Sequence, residues 1–327
     1  MAFDNIRLDK GLYTTGKSFT AALEAMDPSD NYIGTPLEGL DAYQRQLKRF
    51  DIKVSGRDSD CIAKFFKTTD SATLFPEFVS RAVRQGIERD NPLEKIVAAT
   101  TEIDSFDYRA VELHTDKEAA IIGEGAFIPE TTITLKETLT PLKKRGRMLV
   151  SSYEAIKFQK LDLFSVVLAQ IGASIVSEQF KDAVLTLTGD DVELPEGATG
   201  VTYEALLELW DAFEDCRMTT MIADSQQLKN ILSFSEFRDA AAGLDFHGTG
   251  KMVTPFGADI IRVNGVDFGD YIIGFDKRYA LEMVQAGGIM TDFDKLIDRQ
   301  MERATVTSIA GFSLINEDAV KMLKTTP

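Results

Sequence analysis

The residues best suited to metal or nucleophilic chemistry are few: His114 and His247, and Cys61 and Cys216. None of the four has a neighbour at the spacing that converges ligands on zinc or another metal, and the cysteines form no CxxC pair. Each histidine therefore reads as a surface or turn residue. GEGA (123–126) and FGADIIRVNG (256–265) carry glycines, but neither has the strand-then-helix setting of a phosphate-binding loop. There is no GxSxG and no Cys/His pair in a recognisable catalytic context. Carboxylates are abundant, yet abundance alone does not pair a general acid with a base. The sequence thus names no catalytic residue, no metal ligand and no cofactor, and a non-enzymatic role is expected. One basic cluster stands out, KKRGR (143–147). It reads either as a solvated strand end or as a salt-bridge partner for an acidic neighbour.

The elements that would carry these residues come next. The chain has 327 residues and a net charge of −16, with 44% hydrophobic and 27% charged residues. That is ordinary for a globular protein with a real core and room for two subdomains. The acidic balance argues against binding to free nucleic acid, which needs clustered Lys and Arg, and against docking on anionic membranes. Two distant cysteines fit a reducing cytosol, and MAFDNIRLDK lacks the apolar run of a signal peptide.

The dominant stretch is LDLFSVVLAQIGASIVSEQFKDAVLTL (161–187). Phe164, Val167, Leu168, Ile171 and Ile175 follow helical spacing, and Val166, Ala169, Ala173, Val176 and Phe180 fill an adjacent face. The spacing predicts one helix of about 40 Å, with Asp162 as N-cap and Gly189 as stop. Asp162, Gln170, Glu178, Lys181 and Asp182 interrupt it, so it is read as a core helix and not a membrane span. A helix this apolar must be covered on most sides.

Residues 1–60 look weakly organised, with two short amphipathic helices in SFTAALEAM and LDAYQRQLKRF, and are expected to form a partly ordered arm. LFPEFVSRAVRQGIER (74–89) is a stronger helix, with Pro76 in its first turn. YRAVEL, TTITLKETL and RMLVSSY read as strands. The first two flank a Gly- and Pro-bearing tip at 115–130, a hairpin too large to bury its own faces. After an acidic linker (190–200), TYEALLELWDAFEDC gives a helix with Leu206, Leu209, Trp210 and Phe213 on one side. TTMIADS gives a buried strand and QQLKNILSF a helix. Asn264-Gly265 is a hairpin signal. The polar run DKLIDRQMER leads into one last strand, ATVTSIAGFSLI.

The run from GEGAFIPE through KKRGRMLVSSYEAIKFQKLDLF to KDAVLTLTGDD resembles the central block of tailed-bacteriophage major capsid proteins of the Hong Kong 97 type. The basic strand, the step Val150-Ser151-Ser152 with Glu154, the long helix and the turn Gly189-Asp190-Asp191 stand in that family's order. LFPEFVSRAVRQGIE resembles the arm before the hairpin, and SIAGFSLINEDAVKML the returning strand. The likeness extends over about residues 65–327.

The resemblance implies an α+β capsid fold of five segments. These are an N-terminal extension and arm (1–92), an extended hairpin loop (93–153), a peripheral domain with its spine helix (154–199), an axial domain (200–287) and a C-terminal return (288–327). It implies a structural protein that self-assembles through hexamers and pentamers into an icosahedral head. That head would be built in the cytoplasm of a bacterial host and would enclose double-stranded DNA without binding it specifically. Portal, scaffold or decoration proteins would be its further partners. Intersubunit contacts are expected at Lys117, Ile121, Ile122, Glu124, Phe127 and Ile128 of the tip, and at Lys143, Lys144, Arg145 and Arg147. Two other readings stay open: an encapsulin-like compartment of the same fold enclosing cargo enzymes, and an acidic α+β enzyme.

Overall fold

The computed structural model describes residues 2–13, 16, 18–89, 91–114, 121–122, 124, 132–189, 201–238, 252–266, 270–296 and 301–325. The helices are α1 (Phe19–Met26), α2 (Ala42–Arg49), α3 (Thr69–Ala72), α4 (Phe75–Glu88), α5 (Tyr153–Phe158), α6 (Leu161–Leu187), α7 (Tyr203–Asp211), α8 (Ser225–Leu232) and α9 (Ser235–Arg238). The strands are β1 (Ala99–Ile103), β2 (Val111–His114), β3 (Thr132–Leu135), β4 (Lys143–Ser152), β5 (Thr220–Asp224) and β6 (Asp259–Val263), followed by β7 (Tyr271–Phe275), β8 (Leu281–Ala286), β9 (Met290–Leu296), β10 (Met301–Leu314) and β11 (Val320–Lys324). The chain divides into two compact units that cut across the five expected segments. Unit 1 holds Met1–Asp90, Gly146–Ile175 and Ile289–Ser308; unit 2 holds Asn91–Arg145, Val176–Gly288 and Ile309–Pro327.

Unit 1 is built on the first half of α6, where Leu161, Phe164, Leu168, Ile171 and Ile175 are buried. These side chains pack with Phe75, Phe78, Val79, Ala82 and Val83 of α4, and Phe164 stacks against Phe75 and Phe78. The two helices meet backbone to backbone. A Cβ on Gly86 would collide with the Ala169 carbonyl, and one on Gly172 with the Val83 carbonyl, so only glycine allows this approach. β9 pairs antiparallel with the first half of β10, from Met301↔Leu296 to Thr307↔Met290.

The expected arm is instead part of this core. Ile6, Leu8, Phe19, Leu23, Tyr43, Leu47 and Ile52 join the same buried cluster as α4 and α6. Polar contacts fix them there. The Tyr13 hydroxyl donates to the Thr73 carbonyl at 2.8 Å, and Arg81 bridges Asp41 at 2.7 Å and Glu77 at 2.9 Å. Arg45 is fully buried; its Nε lies 2.7 Å from Asp27 Oδ2, and Nη1 donates to Ser29 Oγ and the Leu40 carbonyl. Nη2 donates to the Asp27 carbonyl, and the guanidinium sits 4.4 Å from the Tyr32 ring centre. The Tyr32 hydroxyl completes the node on Asp27 Oδ1 at 2.6 Å. No long apolar run marks residues 1–60 in the sequence, because this layer uses short helices whose apolar faces count only once α4 is beside them.

The helix expected at 161–187 forms over those residues, with two differences. Asp162 lies inside the first turn, and its carboxylate accepts the Gly56 amide from another segment at 3.1 Å. Cover is also one-sided in unit 1. Leu163, Val166 and Val167 are exposed, since the packing stripe runs through Phe164, Leu168, Ile171 and Ile175. Among the described residues α6 is the helix long and apolar enough to cross a membrane, but its apolar stripe forms the core.

Unit 2 contains a four-stranded sheet in the order β11-β7-β5-β6. β5 is parallel to β6 and antiparallel to β7, which pairs antiparallel with β11. α7 packs on β11, and α8 on β5 and β6. Leu206, Leu209, Met221, Ala223, Leu228, Ile231, Ile260, Ile272 and Leu323 form their common core. The Asn264-Gly265 signal does not make a two-residue hairpin. Gly265 takes a left-handed φ of 71°, but β5 lies between β6 and β7. A buried strand such as β5, with four of its five residues inside, is paired on both edges, and this parallel pairing overrides the local turn. Unit 2 also contains β1 parallel to β8, and β8 antiparallel to the last residues of β10.

Candidate subunit-interface surfaces

The hairpin is rooted in unit 2. β2 and β3 pair antiparallel from Val111↔Leu135 to His114↔Thr132. Below them, the Lys136 amide donates to the Ala110 carbonyl at 2.8 Å and the Thr140 amide to the Tyr108 carbonyl at 2.9 Å. The Tyr108 hydroxyl donates to Glu282 Oε1 of β8 at 2.7 Å, and Thr101 of β1 donates to the same oxygen. Burial and the Glu282 carboxylate both push the Tyr108 phenol above its ordinary pKa. Gly311 admits the root closely: a Cβ there would press on the Pro141 carbonyl and the Leu142 side chain.

At the tip, Ile121 is fully exposed, and Ile122 and Glu124 are exposed as well. Lys117, Phe127 and Ile128 lie outside the described residues. The base of the hairpin is thus fixed while its described apolar tip residues face solvent.

The basic strand end is committed within the subunit. Arg145 holds Asp182 of α6 in a fork, Nε to Oδ2 at 2.7 Å and Nη2 to Oδ1 at 2.8 Å, and Lys143 adds a contact to Oδ1 at 2.8 Å. Glu178 lies 3.6 Å from Arg145 and 2.6 Å from Lys181. Burial pushes the Asp182 carboxyl up, but the hydrogen bonds from Arg145 and Lys143 outweigh it and hold it below the usual carboxylate range. Of the readings left open for KKRGR, the salt-bridge one describes Lys143 and Arg145, with the acidic partner on their own α6. Lys144 and Arg147 are exposed.

The residues with chemical potential do not converge. His114 ends β2, and His247 lies outside the described residues. Cys61 is exposed, with Sγ 3.6 Å from the Phe158 carbonyl, and Cys216 is half-buried. Among the described residues no group of three His, Cys, Asp or Glu could hold a metal ion.

No family model matches the sequence, and no curated protein matches it at a significant level. Solved structures do. A virus-like particle protein from Pyrococcus furiosus is similar over 76% of this chain and 98% of its own, at 14% identity and a TM-score of 0.51. The capsid of a native GTA particle is similar over 72% of this chain and 90% of its own, at 13% identity and a TM-score of 0.53. The chain has the Hong Kong 97-type capsid fold. A structure of Microbacterium phage Oxtober96 is similar over 72% of this chain and 91% of its own, at 8% identity and a TM-score of 0.50. Within the Hong Kong 97-type fold, α6 is the spine helix, β2–β3 the extended hairpin and the four-stranded sheet the axial unit. The expected α+β class and capsid-type fold both hold.

Proposed function

We propose that this chain is the subunit of a closed homo-oligomeric shell, built from hexamers and pentamers as a phage head around double-stranded DNA. The observation that carries the reading is the rooted hairpin with exposed Ile121 and Ile122, in a chain with a capsid fold. Exposed apolar tips on a fixed base mark partner surfaces, and identical subunits joined head to tail close into shells. The tip residues Lys117, Ile121, Ile122, Glu124, Phe127 and Ile128, with Lys144 and Arg147, are proposed to touch a neighbour. Lys143 and Arg145 would act by holding the strand end against α6. A net charge of −16 suits a wall that must not hold duplex by counterion release. Assembly would take place in the cytoplasm of a bacterial host, with portal, scaffold or decoration proteins as further partners.

A second reading, a compartment around protein cargo, uses the same fold and the same kind of closed shell. One preparation separates the two. The chain is expressed alone and with its neighbouring genes, and micrographs and the particle contents are recorded. Closed particles containing DNA are expected; particles that co-purify with an enzyme and no DNA would favour the compartment. A monomer under every salt and concentration would refute both. Replacing 117–128 with a Gly/Ser turn is expected to leave melting near normal and to abolish shells. Wild-type shells from that variant would show that the tip is not a contact.

A further inference from the structure

The outward side of α7 combines features that a lone subunit does not use. α7 is N-capped by Thr202 and buries Ala205, Leu206 and Leu209. Its other side exposes Glu204, Leu207, Glu208 and Asp211 at helical spacing. Beside them is Trp210, the only tryptophan in the chain, 43% exposed although sequence spacing groups it with the buried leucines. Its ring lies 6.3 Å from that of Phe256, so aromatic surface extends beyond the helix. Exposed Glu214 continues the acidic rim, which ends at exposed Arg217 beside Gly257.

An exposed tryptophan flanked by leucine is the usual anchor of a protein interface. The acidic rim restricts what can cover it. Two copies of the Glu204–Glu208–Asp211 side meet unfavourably, because that would oppose like charges across a closing, desolvating surface. Self-pairing about a two-fold axis is therefore disfavoured, and a contact between copies must be heterologous. The same unit offers a complementary surface. α8 carries a single charge, the exposed Lys229, because Asp224 before it caps the helix by accepting the Gln227 amide at 2.6 Å. Exposed Arg262 stands on β6, an edge strand, in register with Ala223 and so on the face of the sheet that bears α8. Within the sheet, α7 packs at the β11 edge, and Lys229 and Arg262 stand at the β6 edge.

We infer that the α7 face, anchored by Leu207 and Trp210, docks on the α8–β6 edge of a second copy. Glu204, Glu208 and Asp211 then meet Lys229 and Arg262. A contact that joins one edge of a unit to the opposite edge of the next propagates in one direction, and in a closed shell it closes as a ring. This inference rests on the shell reading and names the surface through which one ring forms.

Because Trp210 is the sole tryptophan, its fluorescence reads the contact directly in the full-length protein. Emission and acrylamide quenching are followed across a concentration series while sedimentation reports assembly. A blue shift and a several-fold fall in quenching are expected as rings or particles appear. Glu208→Lys is expected to raise the concentration needed for assembly by about tenfold without changing the melting curve. Reversing both sides together, Glu204→Lys, Glu208→Lys and Asp211→Lys with Lys229→Glu and Arg262→Glu, is expected to restore assembly. Particles in which Trp210 stays as accessible as in the subunit would overturn this contact and leave the shell reading intact. A Glu208→Lys chain that assembles as wild type would overturn it too. A blue shift without rescue by the reversal of both sides would overturn the assignment of the α8–β6 edge as partner. Failure to assemble under any condition would remove the shell reading and this inference together.

Discussion

Replacing Arg45 with alanine tests whether the N-terminal segment belongs to the core. Arg45 and Asp27 are both fully buried, and the guanidinium serves the Asp27 carboxylate, two backbone carbonyls and Ser29. Arg45→Ala leaves Asp27 buried with one remaining side-chain donor, Tyr32. Breaking a buried pair from one side costs about 3–5 kcal/mol, because the surviving charge is uncompensated. With a urea m-value of about 3 kcal/mol/M, the midpoint should fall by roughly 1 M or more. Replacing both partners, Arg45→Met with Asp27→Leu, should recover most of the loss, since no charge is then stranded. Urea unfolding of the full chain followed by circular dichroism reads both variants. A single variant within about 1 kcal/mol of wild type would mean that the segment is a detachable arm and that this account of unit 1 fails.

Three further outcomes follow from the packing. Ile171→Asp should place an unpaired carboxylate in the core of unit 1, cost several kcal/mol and give insoluble chain; a soluble variant with wild-type melting would refute it. Gly86→Val should force α4 away from α6, at about 1–3 kcal/mol or more, read as a lower melting temperature. Asp182 has a folded pKa below its unfolded value, so its ion pairs add stability above the ordinary carboxylate range, about pH 4. That contribution is lost as pH falls through the depressed folded value. Asp182→Asn should therefore be less stable than wild type at neutral pH, and the gap should close below about pH 4. A gap that does not change with pH would refute the role of Arg145 and Lys143.

How far the sequence could be read depended on where each signal sits. α6 was legible because 27 residues of helical spacing leave little else to form, and α4 because Pro76 and an apolar stripe mark it. β9 was hidden. MTDFDKL looks like a polar loop, and it is a strand because β10 pairs with it and Arg303 reaches Asp294 across the pair. Trp210 was misplaced because periodicity gives the angle around a helix but not where the cover ends. The Asn264-Gly265 turn was misread because strand order is a long-range choice that a dipeptide does not encode. The exposed isoleucines proposed as contacts, Ile121 and Ile122, were accessible as a pattern of apolar residues beside glycines. The internal engagement of Lys143 and Arg145 was not, since Asp182 lies nearly forty residues on.

The division into units also sets the order in which a newly made chain can mature. Unit 1 takes β9 and the first half of β10 from residues 289–308, and unit 2 takes the rest of β10 and β11 from 309 onward. Each unit therefore includes strands that follow α6 and the hairpin by a long stretch of chain, and closing such long loops slows folding. Until those strands emerge, α6 and the hairpin exist without a finished body to hold them. A chain that stops before β9 therefore lacks strands of both units and is expected to leave both unfinished.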